Sequence, residues 1–363
     1  MPLTLLLHGR HADFPVLYQP FGSWIVPWRF GPTEEAYQSL RHGVGLVDDS
    51  TQALIEIRGA DRVRFLQAIV TNDVKRLTPH TGCRAALLDP HAKCLAELIV
   101  LADPDALWLL CDLERAGVVA ETLERYHFSE DIAILNHERE QAVLALQGPA
   151  IDALAEPLFD MTVSSLAPED HRLLNVGEIP IRLIRHSLAG DLGLLVLVPA
   201  SEVESLWNVL QHRGGPVGLR LAGWEALNIA RIESGIPWFG FDMGPDNLLP
   251  ETGLEDVLVS EQKGCYVGQE IVARMQTYGS PNKKLMGLRI EGDTVPRTGD
   301  AILYGDERAG SVTSACFSPS LRGAIAMGYV KRGVYEAGTV VQIAHEATRL
   351  KARITTLQSI LQD

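Results

Sequence analysis

Apolar and polar residues alternate through Leu54-Ile55-Glu56-Ile57-Arg58, the two-residue period of a strand with one buried face. Gly59-Ala60-Asp61 ends the run, and Asp61 stands where a helix cap belongs. Phe65, Leu66, Ile69 and Val70 then recur at the spacing of one helical face. Residues 86–88 and 95–101 predict two strands around a turn at Asp89-Pro90-His91, and residues 107–111 a third buried run. Asp112 is placed to cap a helix whose apolar face carries Val119, Leu123 and Tyr126. Further on, residues 179–185 and 192–198 predict paired strands around a polar turn at Ala189-Gly190-Asp191. Ser201 with Glu204 predicts a capping box, and Val203, Leu206 and Leu210 the buried stripe behind it. A second helix is predicted from about residue 222 to 232, stopping near Gly235.

After Pro281 the texture changes to short apolar runs between glycine-rich turns: 285–290, 301–304, 309–315, 324–330, 339–344 and 350–356. Short strands at this spacing predict a small barrel or sandwich. The fold class expected is therefore α+β, with a large α+β region over 1–281 and a β-barrel domain over 282–363. A net charge of -14 argues against broad nucleic-acid binding, which needs Lys and Arg to displace counterions. The five cysteines are odd in number and form no C-x-x-C pair, so neither a disulfide framework nor a zinc knuckle is expected, and no metal site is assigned. No stretch reaches the roughly 20 apolar residues of a membrane span. The short N-terminal apolar run has no positive segment before it, so no signal peptide and a cytoplasmic location are expected.

The string Lys263-Gly264-Cys265-Tyr266-Val267-Gly268-Gln269-Glu270 reads as a turn followed by a helix. Gly264 and Gly268 permit tight backbone geometry. Cys265 falls just ahead of the helix start with Lys263 nearby, two features that favour a thiolate. Its alternative reading is a small buried apolar residue. Lys263, Arg274, Lys283 and Lys284 read as a solvated basic face, or as a patch for an anionic tail such as polyglutamate.

This K-G-C-Y-x-G-Q-E string resembles the signature of the YgfZ type of folate-binding protein, within the glycine-cleavage T-protein (aminomethyltransferase) superfamily. Arg231-Ile232-Glu233-Ser234-Gly235-Ile236-Pro237 and Pro250-Glu251-Thr252-Gly253-Leu254 resemble two further elements of that superfamily. So do Thr71-Asn72-Asp73-Val74, Leu146-Gln147-Gly148-Pro149-Ala150 and Phe317-Ser318-Pro319-Ser320-Leu321. The resemblance implies a ring of two ferredoxin-like α+β units closed by the C-terminal barrel, with tetrahydrofolate or a derivative in a central channel. It implies an accessory role toward iron–sulfur enzymes, including tRNA-methylthiolating ones, with iron–sulfur client or assembly proteins as partners. A folate-dependent aminomethyltransferase or demethylase is the alternative.

Carried over residue by residue, the resemblance makes Cys265 and Lys263 the chemical centre and Glu97 a candidate catalytic carboxylate. It makes Arg231, Asp191, Tyr266, Gly268, Gln269 and Glu270 the folate-binding candidates. Arg231 also reads as a helix-end arginine paired with Glu225 or Glu233, and Glu97 as a solvated strand residue. Three departures stand out. The acidic pair of aminomethyltransferases is replaced by Ala96-Glu97, a second pterin-facing acid by Leu195, and an aspartate by Cys265.

Overall fold

The computed structural model describes residues 2–362, with the side chains of Gln276 and Tyr278 excepted. The chain divides into two compact units. One gathers Met1–Leu87, Leu95–Leu227 and Val259–Tyr266, and the other Leu88–Cys94, Asn228–Leu258 and Val267–Asp363.

The first unit is built on two larger sheets and a small one. The six-stranded sheet runs in the order His171–Val176, Ile179–Arg185, Gly193–Pro199, Gln141–Gln147, Gly45–Asp48, Arg220–Leu221. Its central strand Gly193–Pro199 is buried on both faces, which is why it reads as a continuous apolar run rather than an alternation. Leu194, Val196 and Val198 of this strand pack with Leu206, Trp207 and Leu210 of the helix Val203–Gly214 in one core. The five-stranded sheet runs Gly82–Leu88, Cys94–Ala102, Ala106–Asp112, Gln52–Arg58, Ala133–Asn136. A small three-stranded sheet forms from Leu3–Thr4, Trp24–Phe30 and Val16–Phe21.

In the second unit six strands close a barrel in the order Lys283–Ile290, Gly323–Lys331, Glu307–Ser318, Ala301–Tyr304, Val340–His345, Thr348–Thr355. Closure removes the open edges that a sheet of this length exposes. The register of Glu307–Ser318 against Gly323–Lys331 slips between Val312 and Ser314, so Thr313 is the extra residue of a bulge.

Most expected elements stand, and two caps do not. Asp112 does cap the helix Leu113–Tyr126, accepting from the Glu114 N–H at 2.8 Å. Asp61 precedes the helix Arg62–Gln67 but makes no cap bond; its carboxylate accepts from the Asp131 N–H at 3.0 Å instead. The Ser201–Glu204 capping box is absent because a 3-10 turn occupies Ala200–Glu202 and the helix begins at Val203. Among the described residues no helix is long and apolar enough to cross a membrane.

Candidate functional site

Lys263, 7% exposed, points inward within the first unit. Its Nζ donates to the carbonyls of Gln67 at 2.7 Å and Asn72 at 3.0 Å, and also to that of Val70. Burial pulls its pKa down to about 8, with the nearby Asp73 and Cys83 acting against the fall. The receiving turn is the Thr71-Asn72-Asp73-Val74 motif. Thr71 exchanges bonds with Ala86, accepting its N–H on Oγ1 at 2.8 Å and donating its own N–H to its carbonyl at 3.2 Å. Asn72 donates to the Arg84 carbonyl at 2.7 Å. Tyr266 is buried, its ring centroid 5.1 Å from Lys263 Nζ, and burial pushes its phenol up to about 12.

Cys265, between these two anchors, is exposed, which excludes the reading as a packed apolar residue. The other cysteines are buried or half-buried, and burial pushes the thiols of Cys83 and Cys111 up to about 12. The helix begins within the string at Gln269, with Gly268 as its N-cap at φ +81°. A Cβ on Gly268 would lie 2.7 Å from the Asp89 carbonyl oxygen, whereas one on Gly264 would meet nothing within 4 Å. Only the second glycine is therefore required by the backbone. We expect Gly268→Ala to cost about 2 kcal/mol by combining a left-handed φ with a backbone clash, and Gly264→Ala to stay within about 0.5 kcal/mol of wild type. Urea midpoints of the two variants check this. Gln269 is half-buried and Glu270 exposed in the helix's first turn.

Glu97 is neither a free carboxylate nor a solvated one. It lies on the strand Cys94–Ala102 and accepts both Nε, at 2.9 Å, and Nη2 of Arg84 on the neighbouring strand. Asp191 is exposed on its turn, with Oδ2 3.2 Å from Nη1 of Arg41. Two carboxylates escaped sequence reasoning as chemical groups. Asp49 is buried beside Asp48 and Asp112, and burial together with those charges raises its pKa well above the ordinary value. Burial likewise raises Asp112 to about 6. The signal for Asp49 was the adjacent acids Asp48-Asp49 ending an apolar run, and Asp112 follows the apolar run 107–111 as a helix cap.

In the second unit Arg231 is 1% exposed. Nε and Nη2 donate to Asn228 Oδ1 at 3.0 and 2.8 Å, Nη2 to Ser314 Oγ at 2.7 Å, and Nη1 to the Ile236 carbonyl at 3.2 Å and to Asp242. Its acidic partner is thus Asp242, not Glu225 or Glu233. Glu225 pairs with Arg29, and Glu233 accepts from Ser318 of the Phe317-Ser318-Pro319 segment. The barrel bulge accounts for part of the arrangement. In a regular strand Thr313 and Ser314 face opposite ways; here Thr313 reaches Asp242 while Ser314 reaches Arg231. The expected basic face also changes, because Lys263 is buried and Lys283 lies 3.6 Å from Glu251.

Ligating atoms of His80, Asp103 and His171 lie within 4.8 Å of one another. Arg182 already fills the place of a cation there, donating to both Asp103 oxygens at 3.1 and 2.7 Å and to His171 Nδ1 at 2.9 Å.

Residues 7–263 match the GCVT N-terminal domain, and residues 283–359 the glycine cleavage T-protein C-terminal barrel domain. The chain belongs to the glycine cleavage T-protein family. An aminomethyltransferase of Bacillus pumilus is 27% identical over 355 residues, covering 97% of this chain and 96% of that protein. The aminomethyltransferase of Bacillus subtilis is 26% identical over 339 residues, 92% of each chain. The crystal structure of glycine cleavage system aminomethyltransferase T from Bartonella henselae shares the fold, with a TM-score of 0.89 at 22% identity over 99% of this chain and 98% of that one. These relatives overturn the expected accessory role toward iron–sulfur enzymes and its iron–sulfur partners, since proteins matching nearly end to end carry the name aminomethyltransferase.

Proposed function

We propose that this protein is a tetrahydrofolate-dependent one-carbon transferase of the aminomethyltransferase type, set in the cytoplasm. The observation that carries the reading is the end-to-end correspondence with aminomethyltransferases, 27% identical over 97% of the chain, through both domains in order. Within the family we place it in the YgfZ-type subgroup on the complete Lys263–Glu270 string.

Bound tetrahydrofolate supplies the amine that receives the one-carbon unit. The residues present suit a pterin, whose amino-pyrimidine edge donates hydrogen bonds and needs an acceptor. Asp191 offers an exposed carboxylate oriented by Arg41. Glu97 is held in place and charge-compensated by Arg84, so its support of a developing positive charge is weaker than that of an unpaired carboxylate. Slow transfer is the consequence. Arg231 belongs to the framework of its unit in this reading, since its N–H groups already have acceptors.

The test is anaerobic calorimetry with tetrahydrofolate, followed by single-turnover reaction with an aminomethyl-loaded lipoyl carrier. Binding, with methylenetetrahydrofolate and ammonia formed together, is the expected outcome, and Asp191→Ala should weaken folate about tenfold, the loss of about 1.4 kcal/mol. Binding without either product would overturn transfer and leave folate binding standing. Absence of binding would overturn both.

A further inference from the structure

The segment Val259–Tyr266 is a strap on the first unit, and its attachments concentrate at one joint. The three carbonyls that surround Lys263 Nζ belong to the last residue of the helix Arg62–Gln67 and to the turn that follows. A helix end leaves carbonyls without N–H partners, and its dipole favours a cation. An ammonium has three N–H groups, and here each has a carbonyl to meet. The turn that presents them is itself braced. Gln67 Oε1 accepts the N–H groups of Val74 at 2.8 Å and Lys75 at 3.2 Å, while Gln67 Nε2 donates to Asp73 at 3.0 Å. Two lesser bonds tack the strap down upstream. The Ser260 N–H donates to the Thr71 carbonyl at 3.1 Å, and Arg76 Nη2 to Gln262 Oε1 at 2.8 Å. Tyr266 is buried on the other side, so exposed Gly264 and Cys265 bridge two sunken anchors.

We propose that Lys263 is a positioning residue: its ammonium clamps the Val259–Tyr266 strap to the end of the helix Arg62–Gln67 and thereby fixes where the Cys265 thiol is presented. The role is specific to lysine. Arginine spreads its donors in one plane and is longer, so it does not match three carbonyls converging on a point. Methionine fills the space but removes the ammonium from all three carbonyls, two of them at buried bonds.

The experiment compares the full-length wild type with Lys263→Met, Lys263→Arg and Lys263→Ala. Hydrogen exchange is followed by mass spectrometry in peptides covering 259–266 and, as a reference, the barrel strand Lys283–Ile290. The rate of Cys265 alkylation by iodoacetamide is mapped in parallel. Lys263→Met is expected to speed strap exchange at least tenfold and to change the Cys265 rate at least threefold, with the barrel strand unaffected. Lys263→Arg should restore less than half of the lost protection. Propylammonium, but not propanol, should restore protection to Lys263→Ala, a response that simple loss of packing does not produce. Unchanged strap exchange in Lys263→Met, equal loosening of the barrel strand, or equal rescue by propanol would each overturn the clamp. Should Lys263→Met fail to fold, Lys263→Arg and the rescue of Lys263→Ala decide the question by the same criteria.

Discussion

Replacement of Arg231 by methionine is expected to remove about 3–5 kcal/mol of stability, because it leaves a buried carboxylate without its countercharge. Asp242 is 1% exposed, and after the substitution its remaining donors are the Trp238 N–H at 3.0 Å and the Thr313 hydroxyl. The guanidinium also lies 4.4 Å from the Trp238 ring centroid, so a cation–π contact goes with it. Removing both charges, as Arg231→Met with Asp242→Leu, should recover part of the loss, since the desolvation cost of the lone carboxylate disappears. Urea unfolding of the three variants gives the comparison. The same proteins separate a framework role from a folate contact. A framework arginine shows a large stability loss and an unchanged folate Kd in whatever fraction remains folded. Unchanged unfolding with a weakened Kd would assign Arg231 to the ligand instead.

Arg231 also illustrates what was legible in the sequence. Its motif stood out, but the sequence pattern did not disclose the direction of the side chain. That direction is set by Asp242 eleven residues on and by Ser314 on a barrel strand. Ser314 faces Arg231 through a bulge, and nothing in Ser311-Val312-Thr313-Ser314 announces an extra residue. The sequence places Lys263 near Cys265 and in a basic cluster that reads as a solvated face, but carbonyls some 190 positions earlier in the chain draw it inward. Elements with a regular period fared better. The six barrel strands and the pair Ile179–Arg185 and Gly193–Pro199 were legible because alternation or a continuous apolar run reports burial directly. Caps fell between these cases. Asp112 bonds locally and was legible, while Asp61 is claimed by Asp131, which no local pattern reveals.

The share of the first unit's stability that His171 carries should be lost in mild acid. The ring is wholly buried. Its Nε2 donates to the Ala102 carbonyl at 3.1 Å, and its Nδ1 accepts from Arg182 at 2.9 Å, an arrangement that only the neutral ring satisfies. Burial, and then the charge of Arg182, lower its pKa from 6.5 to about 4. Between those values the unfolded chain binds the proton and the native one does not, so acidification favours unfolding. The contribution is complete above pH 6.5 and is lost as pH falls through about 4. At about 1.36 kcal/mol per pH unit of that gap, the loss amounts to about 3 kcal/mol. Asp103 acts at lower pH: against the upward pressure of burial, its bonds and charge contact with Arg182 hold its pKa below the ordinary carboxylate value of 3.8, so its contribution fades only as pH falls below about that value. Asp49 and Asp112, whose pKa values burial raises, take up protons in the native state and work in the opposite sense over this range, so the His171 share is read from the difference between two urea-midpoint curves from pH 7.5 to 4. His171→Gln, which cannot titrate, should start less stable at pH 7.5 because the bond with Arg182 is replaced imperfectly. The gap between its curve and that of the wild type should narrow as pH falls and close near pH 4. Two parallel curves would show that His171 carries no pH-dependent share of the stability in this range.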